Sequence, residues 1–108
     1  MTQYVITFPA RTMVLTDEEF AQAGIDANAV VEEMKAAGVY VAAGGIDPEA
    51  PAYLVSEDGS SVPANYPDTA GFNGGVTIIE VDSLEDAQAW AARIAKACRC
   101  PQEVRGLF

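Results

Sequence analysis

The chain has 108 residues, of which half are hydrophobic and a fifth are charged, and its formal net charge is −10. This composition is typical of globular proteins, and the length allows one modest core and excludes two folded domains. An acidic surface repels nucleic-acid phosphates and anionic lipids, so we expect no direct nucleic-acid binding and no membrane binding. The start, Met1 to Tyr4, lacks a signal-peptide layout. We therefore predict a single cytoplasmic domain over residues 1–108.

The first third of the chain predicts a strand and a helix. Residues Gln3 to Phe8 alternate between two faces, as a strand does. Thr16 and Glu19 have the spacing of a capping box at a helix start, and Gly38 is a typical helix stop. One apolar stripe follows at helical spacing: Phe20, Ala23, Ala27, Val30, Val31 and Met34. Gly24 costs about 1 kcal/mol relative to alanine in a helix, so a break near it is the alternative.

The middle of the chain predicts a second strand and an extra hairpin. Val39 to Ala43 is rich in β-branched and aromatic residues, and the following Gly44-Gly45 and Asp47-Pro48 mark a bend. Tyr53 to Val55 and the region of Val62 flank Asp58-Gly59, a dipeptide typical of tight hairpin turns.

The last third predicts a strand, a helix and a final strand. After a loop over residues 63–75, Val76 to Val81 is apolar on both faces. We attribute the glycines Gly74-Gly75 to turn geometry. Ser83 caps a helix with a second apolar stripe: Leu84, Ala87, Trp90, Ala91 and Ile94. With a last strand over Gln102 to Phe108, the order predicts an α+β fold of the ferredoxin-like βαββαβ type with an extra hairpin.

The two predicted helices leave one face of the predicted sheet uncovered. Two amphipathic helices cover one face of a four-stranded antiparallel sheet, yet several strands are apolar on both sides. Pairing of two sheets about a two-fold axis covers the second face, so we predict a homodimer. A ligand pocket between sheets is the alternative.

The two cysteines, Cys98 and Cys100, are separated by one residue. This spacing disfavours a disulfide within a regular strand or helix and supplies only two metal ligands. Because the chain also has no histidine, we predict two reduced thiols, no metal site and no cofactor. Redox sensing and thiolate–metal binding are the alternatives.

The stretch AGFNGGVTIIEVDSLEDAQAWA, from Ala70 to Ala91, resembles the YCII-related family, including its branch named after an Asp-Gly-Pro-Phe motif. The segments Ala36 to Val39 and Glu103 to Arg105 are similar to that family in order and spacing. The resemblance implies a YCII-like domain and a dimeric α/β-barrel built from ferredoxin-like subunits.

The resemblance also indicates which catalytic residues and motif residues of the family this chain lacks. Some members of the family look to use a His-Asp pair for acid/base chemistry. This chain has no histidine, and its second helix has no acid between Ala91 and Cys98. The Asp-Gly-Pro-Phe motif falls on Pro63 to Tyr66 and keeps only its final aromatic, whereas an acidic-Thr pair that often follows matches Asp68-Thr69.

We predict a ligand site in or beside the cleft between sheet and helices, where the loop meets the sheet, because small-molecule pockets combine aromatic walls with a few polar groups. The expected residues are Tyr4, Tyr40, Tyr66, Asp68, Thr69 and Phe72. The leading hypothesis is a YCII-like domain that binds a small molecule or a protein partner. One alternative is a lyase or isomerase of a small aromatic or lactone, using Asp68 with Tyr66 or Tyr40 if burial raises the carboxyl pKa. The other, from the resemblance, is a transcription-associated accessory domain.

The arginines Arg11, Arg93 and Arg105 have planar guanidinium groups that suit an anionic ligand. In so acidic a chain, we expect them to pair instead with surface carboxylates.

Overall fold

The structure, a computed structural model, describes residues 1–108. It contains two helices and six strands. In chain order these are β1 (Thr2–Phe8), α1 (Asp17–Ala37), β2 (Tyr40–Gly45), β3 (Tyr53–Val55), β4 (Ser61–Pro63), β5 (Gly75–Val81), α2 (Leu84–Cys98) and β6 (Glu103–Gly106). None of its helices combines the length and apolarity needed to cross a bilayer.

Four strands form one antiparallel sheet in the order β2-β5-β1-β6. With α1 after β1 and α2 after β5, this is the ferredoxin-like βαββαβ arrangement that the sequence predicts. The strands β3 and β4 form a separate hairpin, in which Gly59 has the positive φ of 87° that its turn requires. The predicted bend is wrong at Gly44-Gly45, because both glycines pair with β5 as part of β2. It is confirmed at Asp47-Pro48, where the Ala50 backbone donates a hydrogen bond to the Asp47 carbonyl at 3.2 Å.

Both helices begin at the predicted caps. The Thr16 hydroxyl accepts a hydrogen bond from the Glu19 backbone at 3.2 Å, and the Glu19 carboxylate accepts one from the Thr16 backbone at 3.0 Å. That backbone hydrogen bond holds the pKa of Glu19 below its ordinary value. Helix α1 runs without a break through Gly24 and ends at Gly38, whose φ is 74°. Ser83 caps α2 in the same way, by accepting from the backbone of Asp86 at 3.1 Å.

The core lies between the helices and one face of the sheet. Its most deeply buried large side chains are Ile6 of β1, Met34 of α1 and Ile79 of β5. Val31, a member of a predicted stripe, is outside it and only partly buried. Phe20 and Leu84 are outside it as well, because they are 63% and 46% exposed. Both lie in the first turn of their helix, and the buried residues begin one turn later.

The opposite face of the sheet carries apolar side chains that are outside this core. On this helix-free face Val5 lies opposite Ile78, and Thr7 lies opposite Val76. The chain exposes 7216 Å², whereas a compact monomer of its mass is expected to expose about 5,800 Å². Its radius of gyration is 15.0 Å, against about 13 Å expected. The isolated chain therefore has more accessible surface than a compact monomer of this size.

Candidate functional site

A cavity of about 590 Å³ lies between α1 and the half of the sheet formed by β2 and β5. Its volume is within the range of small-molecule pockets, about 300–1,000 Å³. Its apolar walls include Phe8, Met13, Phe20, Val31, Tyr40, Ile46, Ile94 and Cys98. Three of these residues are aromatic and come from three different elements. Packing of α1 against the sheet therefore creates the site.

The Phe8 ring forms one wall because two glycines make room for it. Phe8 lies opposite Gly75 in the β1–β5 pairing. A Cβ on Gly75 would lie 2.6 Å from Phe8 Cε1, and a Cβ on Gly74 would collide with the Phe8 carbonyl oxygen and ring. Neither glycine has a positive φ. The predicted explanation by turn geometry is therefore wrong, and close approach of Phe8 explains the pair.

Two polar side chains of the cavity lie beside β5. Thr77, within β5, is 9% exposed and lines the cavity. Every fully buried side-chain nitrogen or oxygen has a hydrogen-bond partner, whereas the Thr77 hydroxyl has none within the chain, so it keeps contact with the cavity space. Asn73, just before β5, accepts a hydrogen bond from the Ala10 backbone through Oδ1 at 2.9 Å. The cavity thus presents the Thr77 hydroxyl and the Asn73 carboxamide beside β5.

The two charged residues that line the cavity neutralise each other. Lys35 Nζ lies 3.3 Å from Glu32 Oε1, and both side chains are at least half exposed. The same ammonium group lies 5.2 Å from the centre of the Tyr40 ring. Because the lysine already has an anionic and an aromatic partner, the cavity offers no unpaired positive charge.

The Cys98 thiol is part of the wall. Burial raises its pKa, and the neighbouring Cys100 adds to this effect. The thiolate is the reactive form of cysteine, so a raised pKa makes Cys98 a weak nucleophile near neutral pH. Both cysteines are free, as the sequence predicts, and no group of three or more metal-binding side chains comes together.

The chain matches a known family over most of its length. The model of the YCII-related domain matches residues 2–99, which include the cavity and the resembling stretch from Ala70 to Ala91. The chain belongs to the YCII-related family. No curated protein matches it significantly. With no histidine in its sequence, this YCII-related domain has a cavity without an imidazole group.

The six predicted ligand-binding residues occupy different parts of the YCII-related domain. Tyr40 lines the cavity, and Tyr4 lies in β1 against the core. The other four are exposed in the loop between β4 and β5: Tyr66, Asp68, Thr69 and Phe72. There the Thr69 hydroxyl donates to the Tyr66 carbonyl at 3.3 Å, within a short 3-10 turn. Ligand binding by these residues stays a prediction.

Sequence reasoning missed most of the cavity walls. Phe8 and Thr77 lie on the same sheet face as Ile6 and Ile79, so strand alternation contains the signal for both. Nothing local indicates Asn73, because its hydrogen-bond partner lies 63 residues away in the sequence.

Proposed function

We propose that this YCII-related domain binds a small molecule in the cavity between α1 and the sheet. The observation that supports this function best is the cavity itself, which has ligand-sized volume, apolar walls and few polar groups. Without histidine, the domain has no imidazole for the acid/base pair of other family members. Binding is therefore favoured over catalysis.

We also propose that the domain, a single unit over residues 1–108, works in the cytoplasm as a homodimer of the α/β-barrel type. The dimer proposal is supported by the apolar side chains of the helix-free face, such as Val5 and Ile78, and by the excess exposed surface. The two free thiols are consistent with a reducing compartment.

The enzyme alternative has less support from the geometry. Asp68, its proposed base, is exposed and does not line the cavity. Glu32, the carboxylate that does, is paired with Lys35. A lyase or isomerase needs an acid or base held against its substrate.

A protein-binding role, such as a transcription-associated accessory domain, has one observation in its favour. The β3–β4 hairpin exposes apolar side chains, with Tyr53, Val55 and Val62 each more than half exposed. Exposed apolar patches mark interaction sites.

Native mass spectrometry of the protein purified from its own host tests the binding function. We expect a dimer with a stoichiometric small molecule, whose mass is released on denaturation. Ala27→Leu adds volume to the cavity wall on α1 and should abolish the bound mass. Ala29→Leu, on an exposed position of the same helix, should keep it. An empty wild-type protein, or equal occupancy of the two variants, would contradict the proposal.

A further inference from the structure

We infer that the ligand is an uncharged, planar aromatic molecule whose single polar group hydrogen-bonds to the Thr77 hydroxyl. This inference rests on the proposed binding function and adds the chemical class of the ligand. Three features of the cavity carry it: its charges, its unpaired Thr77 hydroxyl and its aromatic walls.

The charges disfavour an ionic ligand of either sign. Lys35 and Glu32 are the charged residues of the lining, and they pair with each other at 3.3 Å. An ion in the cavity would lose its hydration and find no unpaired opposite charge, which is costly. The chain's net charge of −10 adds repulsion against an anion. An uncharged molecule avoids both costs.

The Thr77 hydroxyl fixes where the polar group lies. The residue is 9% exposed, and its hydroxyl has no partner within the chain. Because the hydroxyl keeps accessible surface in the cavity, a ligand amide or hydroxyl can form a hydrogen bond with it in place of solvent. Asn73 also lines the cavity; its Oδ1 accepts from the Ala10 backbone, so only its NH2 group remains to donate to the same polar group of the ligand.

The shape of the walls favours a flat ring. The aromatic side chains of Phe8, Phe20 and Tyr40 line the cavity, and aromatic rings attract one another beyond simple burial. The glycine pairs Gly44-Gly45 and Gly74-Gly75 add stretches of peptide backbone without side chains. The aromatic rings and the bare peptide planes are both flat surfaces, and they match the faces of a planar ligand better than those of a puckered ligand.

Three nearly isosteric probes test the charge, and a fourth tests the ring. The intact protein is titrated with benzamide, benzoate, benzamidine and cyclohexanecarboxamide, and the side-chain NMR signals of Met13, Thr77 and Ile94 are followed. We expect benzamide to shift these signals and each of the other three probes to bind at least tenfold more weakly.

Thr77→Val tests the hydroxyl with little change in side-chain shape. It should weaken benzamide binding about threefold to tenfold, the effect of one hydrogen bond, and leave the binding of toluene unchanged. Unchanged benzamide binding in this variant would overturn the role of Thr77.

If benzoate or benzamidine binds as tightly as benzamide, the inference that the ligand is uncharged is overturned. If cyclohexanecarboxamide binds as tightly as benzamide, the inference that the ligand is aromatic is overturned. Either result leaves the proposed cavity function standing. Absence of any shift with all four probes would overturn the ligand class as a whole, whereas bound mass in the native spectrum decides the proposed function separately.

Discussion

Phe8 shows how two residues without side chains shape the site. Its ring occupies the space that side chains at Gly74 and Gly75 would fill, and it thereby becomes a wall of the cavity. Ile46 donates a backbone hydrogen bond to the Gly74 carbonyl at 2.7 Å, which fixes that peptide at the end of β2. The glycine pair therefore links the packing of β1 to the form of the cavity.

We expect Gly74→Ala to destabilise the fold by about 1–3 kcal/mol, because the new methyl group would overlap the Phe8 carbonyl and ring. Gly71→Ala is the matched control, since a Cβ there meets nothing within 4 Å. Its effect should be within about 0.5 kcal/mol. Urea unfolding of both variants measures the difference, and equal stabilities would show that Phe8 does not pack against this peptide.

Helix α1 contains a glycine that its fold does not require. Gly24 has no positive φ, and a Cβ on it would meet nothing within 4 Å. Gly24→Ala should therefore stabilise the protein by up to about 1 kcal/mol, through helix propensity and a less flexible unfolded chain. Thermal unfolding should show a rise in Tm of about 4–8 °C for each kcal/mol added to the free energy of unfolding. By contrast, Gly38→Ala should lower Tm, because its φ of 74° disfavours a Cβ. A loss of stability in both variants would indicate that Gly24 has a structural role.

Local signals were sufficient to predict the helices and strands. The caps at Thr16 and Ser83, the stop at Gly38 and strand alternation depend on neighbours within a few residues, so a single sequence contains them. The helix ends were harder, because burial of Phe20 depends on how far α1 overlaps the sheet.

Long-range contacts explain why most residues of the cavity lining were not predicted. The loop from Tyr66 to Phe72 precedes β5 in sequence, yet it lies outside the cavity, whereas α1 is distant in sequence and forms one wall.

The ion pairs show the same contrast between contacts that the sequence predicts and contacts that depend on long-range packing. Arg93 and Arg105 pair with Glu33 and Glu103, as predicted from the excess of carboxylates, whereas Arg11 forms no ion pair. The contact of Arg99 with Asp26 at 3.1 Å depends on the docking of α2 on α1.

The excess exposed surface and the apolar side chains of the helix-free face are the two observations behind the proposed homodimer. A stable interface buries about 800 Å² on each partner. The chain exposes 7216 Å², which is about 1,400 Å² more than a compact monomer of its mass. An interface of this size would cover a little over half of the difference, whereas the larger interfaces of obligate homodimers, about 1,000–2,500 Å² on each partner, would cover most or all of it.

Ile78→Lys tests the assembly because Ile78 lies on the helix-free face, opposite Val5, and outside the core. A lysine in a two-fold interface would meet its own copy across the axis or lose its hydration, so we expect the dimer dissociation constant to rise at least tenfold. Sedimentation velocity over a range of concentrations measures it. Leu84→Lys, at a 46% exposed position of α2, should leave the dimer unchanged. Circular dichroism should show that both variants keep the wild-type fold, since neither residue belongs to the core. A monomeric wild type, or an Ile78→Lys dimer as tight as that of the wild type, would mean that the sheet is covered by something other than a second copy.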